Sequence, residues 1–483
     1  MILVGMRRVL SVPGALALVI TAASLSVAAD PLSDTFQPDV YRMGSALQRR
    51  TPGLIDPRGR ACEAPTAALT FAAAVDLALC LNPATRSAWA QARQQAAALG
   101  SAESALLPSV TATGSETRAF GQHVEVTGAL DSNVQDTRDA ALSLSWTLYD
   151  FGARDGKITS ARHLLDAAAA TTDSVTQQTV LNVVTSYYGL VAADADVVAA
   201  KISESDLARA VEIARALNEG GAGTLGDVLQ AETAFDQAVL ARVQAESAAK
   251  IAHATLAVTL GLSADQPLTL NAQPVPDQVP GLTAHMASLM QEATRQRPDL
   301  DAARAQRDAA IANITVARAA GRPSISLSAG RSLADSAGTP NQNYNLIGVS
   351  VSVPIFTGFN VAYGVRQAQA ALEASEANVE QVRLSVTQGV WDGYYSLDSS
   401  NQQITVTSGL IKTAEQNEQV ALGRYQGGVG TILDVLTAEA AAALARQTRI
   451  AAELAWQTAR AQLAFALGRL SGAEPLSYDT PPP

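Results

Sequence analysis

The phrase GGVGTILDVLTAE, Gly427 to Glu439, repeats GGAGTLGDVLQAE, Gly220 to Glu232, almost letter for letter. A helix that ends at glycine and restarts at a capped threonine is a helical hairpin. Glycine adopts the left-handed conformation that closes a helix, and a threonine followed three residues later by aspartate fits a capping box. Thr224 with Asp227, and Thr431 with Asp434, supply that pair twice. Two such phrases predict two hairpins.

Outward from the phrase, the whole chain reads as a duplication. LNPATRSAWAQAR from Leu81 is answered by QRPDLDAARAQRD from Gln296, LLPSVTATG from Leu106 by GRPSISLSAG from Gly321, LYDFG from Leu148 by PIFTG from Pro354, and SYYGL from Ser186 by GYYSL from Gly393. Each copy reads helix, strand pair, long helix, turn, helix. No proline interrupts 152–218 or 359–426, and Leu181, Val184, Tyr188 and Val191 step at helical spacing. An unbroken helix over either stretch would reach roughly 100 Å at ~1.5 Å per residue, well beyond globular size.

The strand pairs have a period of two. Leu142, Leu144, Trp146 and Leu148 alternate with Ser143, Ser145 and Thr147; Ile347, Val349, Val351, Val353 and Ile355 alternate with Gly348, Ser350, Ser352 and Pro354. Such alternation suits a sheet with one wet face. It also suits a membrane barrel, whose strands of ~9–11 residues turn an apolar face to lipid, and the chain has no other large β region to cover that face. So few strands cannot close a barrel, since the smallest membrane barrels need about eight, so the barrel reading requires oligomers. An open edge in lipid would leave backbone groups unsatisfied.

The organisation expected is therefore a signal peptide over 1–29, an N-terminal girdle segment over 30–68, a first repeat over 69–262, a linker over 263–282, a second repeat over 283–470 and a tail over 471–483. Strands fall at about 108–120, 138–150, 322–333 and 344–357, and the tip turns at 220–224 and 427–431. The two half-length helices, about 70–106 and 283–320, each have the length to complete a column begun by a return helix. The expected pairing puts the N-terminal helix with the last return helix and the second half-helix with the first. The Pro-rich start, the linker and the tail then meet as a girdle.

Arg7 and Arg8 ahead of a short apolar stretch and the small residues of SVAAD have the anatomy of a cleaved export signal. Later in the chain no uninterrupted apolar run reaches the ~20 residues of a spanning helix. With a formal net charge of −11 and scattered basic residues, the chain has no footprint for nucleic acid. Aromatics make up only 5% against 48% hydrophobic residues, which favours closely packed alanine-rich helices. Cys62 and Cys80 are the two cysteines of an exported chain and are expected to pair as a disulfide. His123, His163, His253 and His285 have no ligand spacing, and no nucleophile elbow or phosphate loop is present, so neither catalysis, a metal nor a cofactor is expected.

The duplicated order, the opening LTFAAAVDLALCLNP from Leu69, LYDFG before the long helix and the paired tips at Thr224 and Thr431 resemble the TolC-type outer-membrane factor family across nearly the whole mature chain. The resemblance implies an α+β membrane protein in the outer membrane: a homotrimer with a twelve-stranded transmembrane β-barrel, four strands per protomer, continuous with a long α-helical barrel through the periplasm. It implies the exit duct of a tripartite efflux pump or type I secretion system, with a periplasmic adaptor and an inner-membrane RND or ABC transporter as partners, passing small toxic compounds or proteins. It further places Asp227, Tyr425 and Asp434 at the periplasmic aperture. The paired tips, Gly221, Gly223, Thr224, Leu225, Val228, Gly428, Gly430, Thr431, Ile432 and Val435, are the expected adaptor-docking surface. Gly430 and Thr437 stand where the family's best-known member has an arginine and a second aperture aspartate. The rival reading is an exported alanine-rich coiled-coil scaffold or adhesin without a channel.

Overall fold

In the computed structural model the described residues are 68–124, 130–271, 285–336 and 342–470. The expected signal peptide, nearly all of the N-terminal girdle including Cys62, residues 272–282 of the linker and the tail lie outside them. The first repeat runs α1 (Phe71–Leu81), α2 (Pro83–Ser104), β1 (Ser109–Val124), β2 (Leu130–Tyr149), α3 (Ala153–Glu219) and α4 (Leu225–Thr259). The second runs α5 (Met286–Gln296), α6 (Pro298–Ala319), β3 (Ser324–Ser336), β4 (Gln342–Ser352), α7 (Asn360–Gln426) and α8 (Ile432–Ala466). Both long helices have 67 residues and both return helices 35.

Where the sequence reads one helix over 70–106 and another over 283–320, the structure has a break in each. Asn82 and Arg297, at the breaks, take extended ψ values of 127° and 119°. Each precedes a proline, whose ring disfavours helical backbone in the residue before it. The seams are tied: Asn82 Nδ2 donates to Thr259 O at 2.9 Å, and Arg297 Nη1 to Phe465 O at 2.7 Å. The same seams correct the expected pairing of columns. The end of α4 meets the break at Asn82, and the end of α8 meets the break at Arg297, so each return helix abuts the broken helix of its own repeat. Gly261 and Gly468 permit this. Both have positive φ, +81° and +76°, and a Cβ there would lie 2.8 Å from Leu81 O and 2.7 Å from Gln296 O.

The chain divides into two units. The strand-bearing unit, residues 93–166 and 305–376 of those described, holds one antiparallel sheet of order β1-β2-β3-β4. Its registers put Val110 beside Leu144, Leu144 beside Ala329 and Ala329 beside Ile347, while Trp146, Leu327 and Val349 form the next apolar row. The other face carries Ser109, Ser145, Ser326 and Ser350, whose hydroxyls pair across strands at 2.9 and 2.8 Å. Ile347, Val349 and Val351 are exposed. β4 ends two residues before Pro354, short of the expected 357, because proline cannot donate to the ladder.

The helical unit, 68–92, 167–304 and 377–470 of those described, is built on three buried clusters. Val180, Val183, Tyr187 and Leu190 of α3 pack with α1, the end of α4 and Leu470. The Tyr187 hydroxyl donates to the carbonyls of Leu69 (3.2 Å) and Asn271 (3.1 Å), while Leu69 and Leu270 form a parallel bridge. The described ends of the N-terminal segment and the linker thus meet at one tyrosine, and Leu470 joins the same cluster. One stretch of α3 is apolar enough by length and average composition to cross a membrane, although it contains no uninterrupted apolar run of that length. Its helix buries those four residues in the first cluster, so packing accounts for apolar character there.

Candidate functional site

Both glycine turns close in the same way. In the first, the Ala222 and Gly223 amides donate to Leu217 O, both at 2.9 Å; in the second, the Val429 and Gly430 amides donate to Arg424 O at 3.0 and 3.1 Å. Gly221 and Gly428 have φ of +76° and +71° with open space around them. Gly223 and Gly430 are needed for a different reason, since a Cβ there would come 3.1 Å from the amides of Asn218 and Tyr425. Past each turn a full capping box starts the return helix. Thr224 N donates to Asp227 Oδ2 at 3.0 Å and Asp227 N to Thr224 Oγ1 at 3.2 Å, with the same distances between Thr431 and Asp434. The Thr431 hydroxyl adds a 2.9 Å bond to Asp434. These bonds from the Thr431 backbone and hydroxyl, with Arg424 nearby, hold the Asp434 carboxyl below the usual carboxylate range.

The two hairpins share a core. Ala210, Val211 and Ala214 of α3, Val228 and Ala231 of α4, Ala421 and Tyr425 of α7, and Ile432, Val435 and Ala438 of α8 form it. Of the four apolar residues expected on the docking surface, Val228, Ile432 and Val435 are therefore buried between hairpins, and only Leu225 is exposed. Val228 with Ala231, and Ile432 with Val435, lie three apart on the faces that meet the neighbouring hairpin, whereas Leu225, the counterpart of Ile432, stays outside that contact. The exposed apolar groups here are Leu225, Val429 and Leu433. Tyr425 is only 4% exposed, and its hydroxyl has no hydrogen-bond partner among the described residues. Burial first, and then the Asp227 carboxylate of the other hairpin, push its pKa up. The structure thus brings Tyr425 and Asp227 into one neighbourhood, while Asp434 bonds back to its own helix start.

Beyond the tips lies a cluster that the sequence reading passed over. Arg446, 8% exposed, donates from Nη2 to Glu418 Oε2 at 2.8 Å and from Nε to Glu415 Oε1 at 3.3 Å, and its Nη1 stands 3.8 Å from Glu439 Oε1. Glu439 is 4% exposed and lines a cleft of about 730 Å³ between α3, α4 and α8 with Ser203, Leu207, Thr233 and Leu436. Its signature was charge on an alanine stripe. Glu439 and Arg446 are seven residues apart on one face otherwise holding Ala438, Ala442 and Ala445, all buried.

Residues 74–262 and 289–469 match the family described as "Outer membrane efflux protein". The chain is 30% identical over 419 residues to Protein CyaE of Bordetella pertussis, covering 86% of each sequence. It is 28% identical over 376 residues to the toluene efflux pump outer membrane protein TtgC of Pseudomonas putida, covering 75% of each. In fold it is similar to the outer-membrane channel OprN, with a TM-score of 0.72 at 22% identity over 86% of this chain and 95% of that one.

Proposed function

The chain belongs to the outer membrane efflux protein family, whose members are outer membrane channels and not enzymes, and from that premise we propose that three copies form an exit duct from periplasm to exterior. The observation that carries the reading is the sheet. Among the described residues it has four strands, an exposed apolar face, a serine-rich face, and two edge strands, β1 and β4, each paired on one side only. In lipid those edges need partners. Three copies would supply about twelve strands, enough for a closed barrel with a lumen lined by the serine face. A scaffold or adhesin would have no use for a greasy sheet face left uncovered.

The helical unit would form the periplasmic part, with the tips meeting an adaptor that links the duct to an RND or ABC transporter. The small, polar character of the serine face favours passage over selection, so cargo, whether small toxic compounds or proteins, is set by the inner-membrane partner. Asp227, Tyr425 and Asp434 are our candidates for the closed aperture, and Leu225, Val429 and Leu433 with the tip glycines for the docking surface. Gly430 and Thr437 leave no arginine and no second aspartate at their positions, so aperture closure rests on the shared hairpin core rather than on a salt-bridge lock. We also propose a Cys62–Cys80 disulfide securing the N-terminal segment to α1, which peptide mass mapping under non-reducing conditions will show.

The test is purification of the mature chain in detergent, native mass measurement and reconstitution in a planar bilayer. A trimer that conducts ions is expected, with Asp434→Ala altering cation block. A stable monomer without conductance overturns the duct.

A further inference from the structure

Asp206, Glu418 and Glu439 each bring a carboxylate oxygen within 4.8 Å of the others, from α3, α7 and α8. The cluster therefore bridges the two hairpins: Asp206 belongs to the first, Glu418 and Glu439 to the second. Around Glu439, α3 contributes Ser203 and Asp206, α7 contributes Glu415 and Glu418, and its own helix contributes Arg446. The α4 side of the adjoining cleft contributes only uncharged groups, among them Gln230, Thr233 and Gln237. Arg209 stands 3.9 Å from Asp206 at the exposed margin.

One buried guanidinium thus faces several carboxylates, and it is already committed to Glu418 and Glu415. Glu439 Oε1 and Arg446 Nη1 are both buried, and neither completes a hydrogen bond among the described residues. A carboxylate held out of water beside two others is relieved by taking up a proton.

We propose that Glu439 is a proton-operated latch between the hairpins. With the carboxyl neutral, α3 and α8 pack together; once ionised, Glu439 repels Asp206 across the hairpin boundary and Glu418 beside it, and the tip region loosens. Burial first, then Glu418 and Asp206, push the Glu439 pKa up from 4.5 to about 7, against the pull of Ser203 and Arg446. The sign follows. Because the folded-state pKa is raised, cohesion is complete below about 4.5, declines between about 4.5 and 7, and is lost as pH rises through about 7. The latch itself stands on this cluster, and only its consequence, a duct that opens more readily at alkaline periplasmic pH, rests on the duct reading.

The test is hydrogen exchange of the full-length protein in detergent from pH 5.5 to 8.5, corrected for intrinsic rates, with bilayer conductance measured in parallel. Amide protection around 203–214 and 432–446 should fall at least about tenfold with a midpoint near the raised pKa. Glu439→Gln should stay protected throughout. Asp206→Asn, which removes one repelling charge, should move the midpoint toward acid by about one pH unit, and it carries the test alone should Glu439→Gln not assemble. A parent protein whose protection does not change with pH overturns the latch, as does a Glu439→Gln variant with the parent's midpoint. Protection governed by magnesium, calcium or a chelator at constant pH would make the cluster a metal site and would equally overturn it. If exchange follows the prediction while no variant conducts at any pH, the latch stands and the duct reading falls.

Discussion

Glu232 and Glu439 close the same phrase, yet they live in opposite surroundings. Glu232 keeps 36% of its side chain exposed and accepts from Arg215 of its own hairpin at 2.6 Å. Glu439 is nearly sealed, three helices from both hairpins converge on it, and the arginine nearest to it is spoken for. About three helical turns further into the return helices the copies still agree in part. Arg242 bonds Glu246 at 3.0 Å and Arg449 bonds Glu453 at 2.7 Å. Their second contacts differ, however: Arg242 reaches Glu204 of α3, whereas Arg449 Nη1 reaches the Ile404 carbonyl. Backbone instructions survived the duplication, and the charges that face a neighbour diverged. The second hairpin carries the buried, costly electrostatics, and the first carries exposed or half-buried pairs.

That contrast predicts its own largest effect. Arg446→Met leaves the Glu418 and Glu439 carboxylates buried without their cation, a loss of about 3–5 kcal/mol. Arg215→Met breaks an exposed pair worth at most ~1 kcal/mol. Denaturant midpoints of the two variants in detergent should separate widely. Equal midpoints would mean that the cluster is open to water and that the two repeats are electrostatically alike.

The seams and the tips give the next contrast, this time between two kinds of glycine. Gly261→Ala and Gly468→Ala add a methyl both at positive φ and against a carbonyl, so strain and overpacking combine to about 3 kcal/mol each. Gly221→Ala and Gly428→Ala meet open space and cost the left-handed strain alone, about 1–2 kcal/mol. Because that tip space is open, bulky residues at Gly221 and Gly428 should leave the proposed trimer and the sheet intact while obstructing any partner that approaches the backbone there. Export with normal trimer yield in such variants would move the docking surface away from the turns. The thermal transition orders the four alanine variants, seam below tip.

Much of this was legible in the sequence because it is written in backbone chemistry. Glycine at the turns, threonine and aspartate at the caps, two-residue alternation in LSLSW and the proline-free helices all act locally, and each acts within a few residues of where it is read. The column pairing was not legible. The two half-helices have nearly equal length, so length could not choose between them, and the deciding contacts, Gly261 on Leu81 and Gly468 on Gln296, are long-range in sequence. Nor was the burial of Val228, Ile432 and Val435, since an apolar residue at a tip reads the same whether it meets a partner or the other hairpin. Glu439 was hidden for a related reason. Nothing in LTAE distinguishes it from the glutamate of LQAE until Asp206 and Glu418 arrive from other helices.

The smallest effect should come from the feature that the copies share most closely. Thr224→Ala and Thr431→Ala each remove the side-chain acceptor of the Asp227 or Asp434 amide, for about 1 kcal/mol. The two should not be quite equal. The Thr431 hydroxyl also donates to Asp434, a bond that Thr224 does not make to Asp227, so its loss frees a carboxylate as well as an amide. That same bond helps hold the Asp434 carboxyl below its ordinary value, so its contribution is present above the usual carboxylate pKa and vanishes as pH falls through the depressed one. Hydrogen exchange of the first turns of α4 and α8 should therefore show the Thr431 variant fraying slightly more at neutral pH, with the difference closing in acid. A difference that persisted in acid would trace to the neighbouring side chains, Gly226 against Leu433, rather than to the cap.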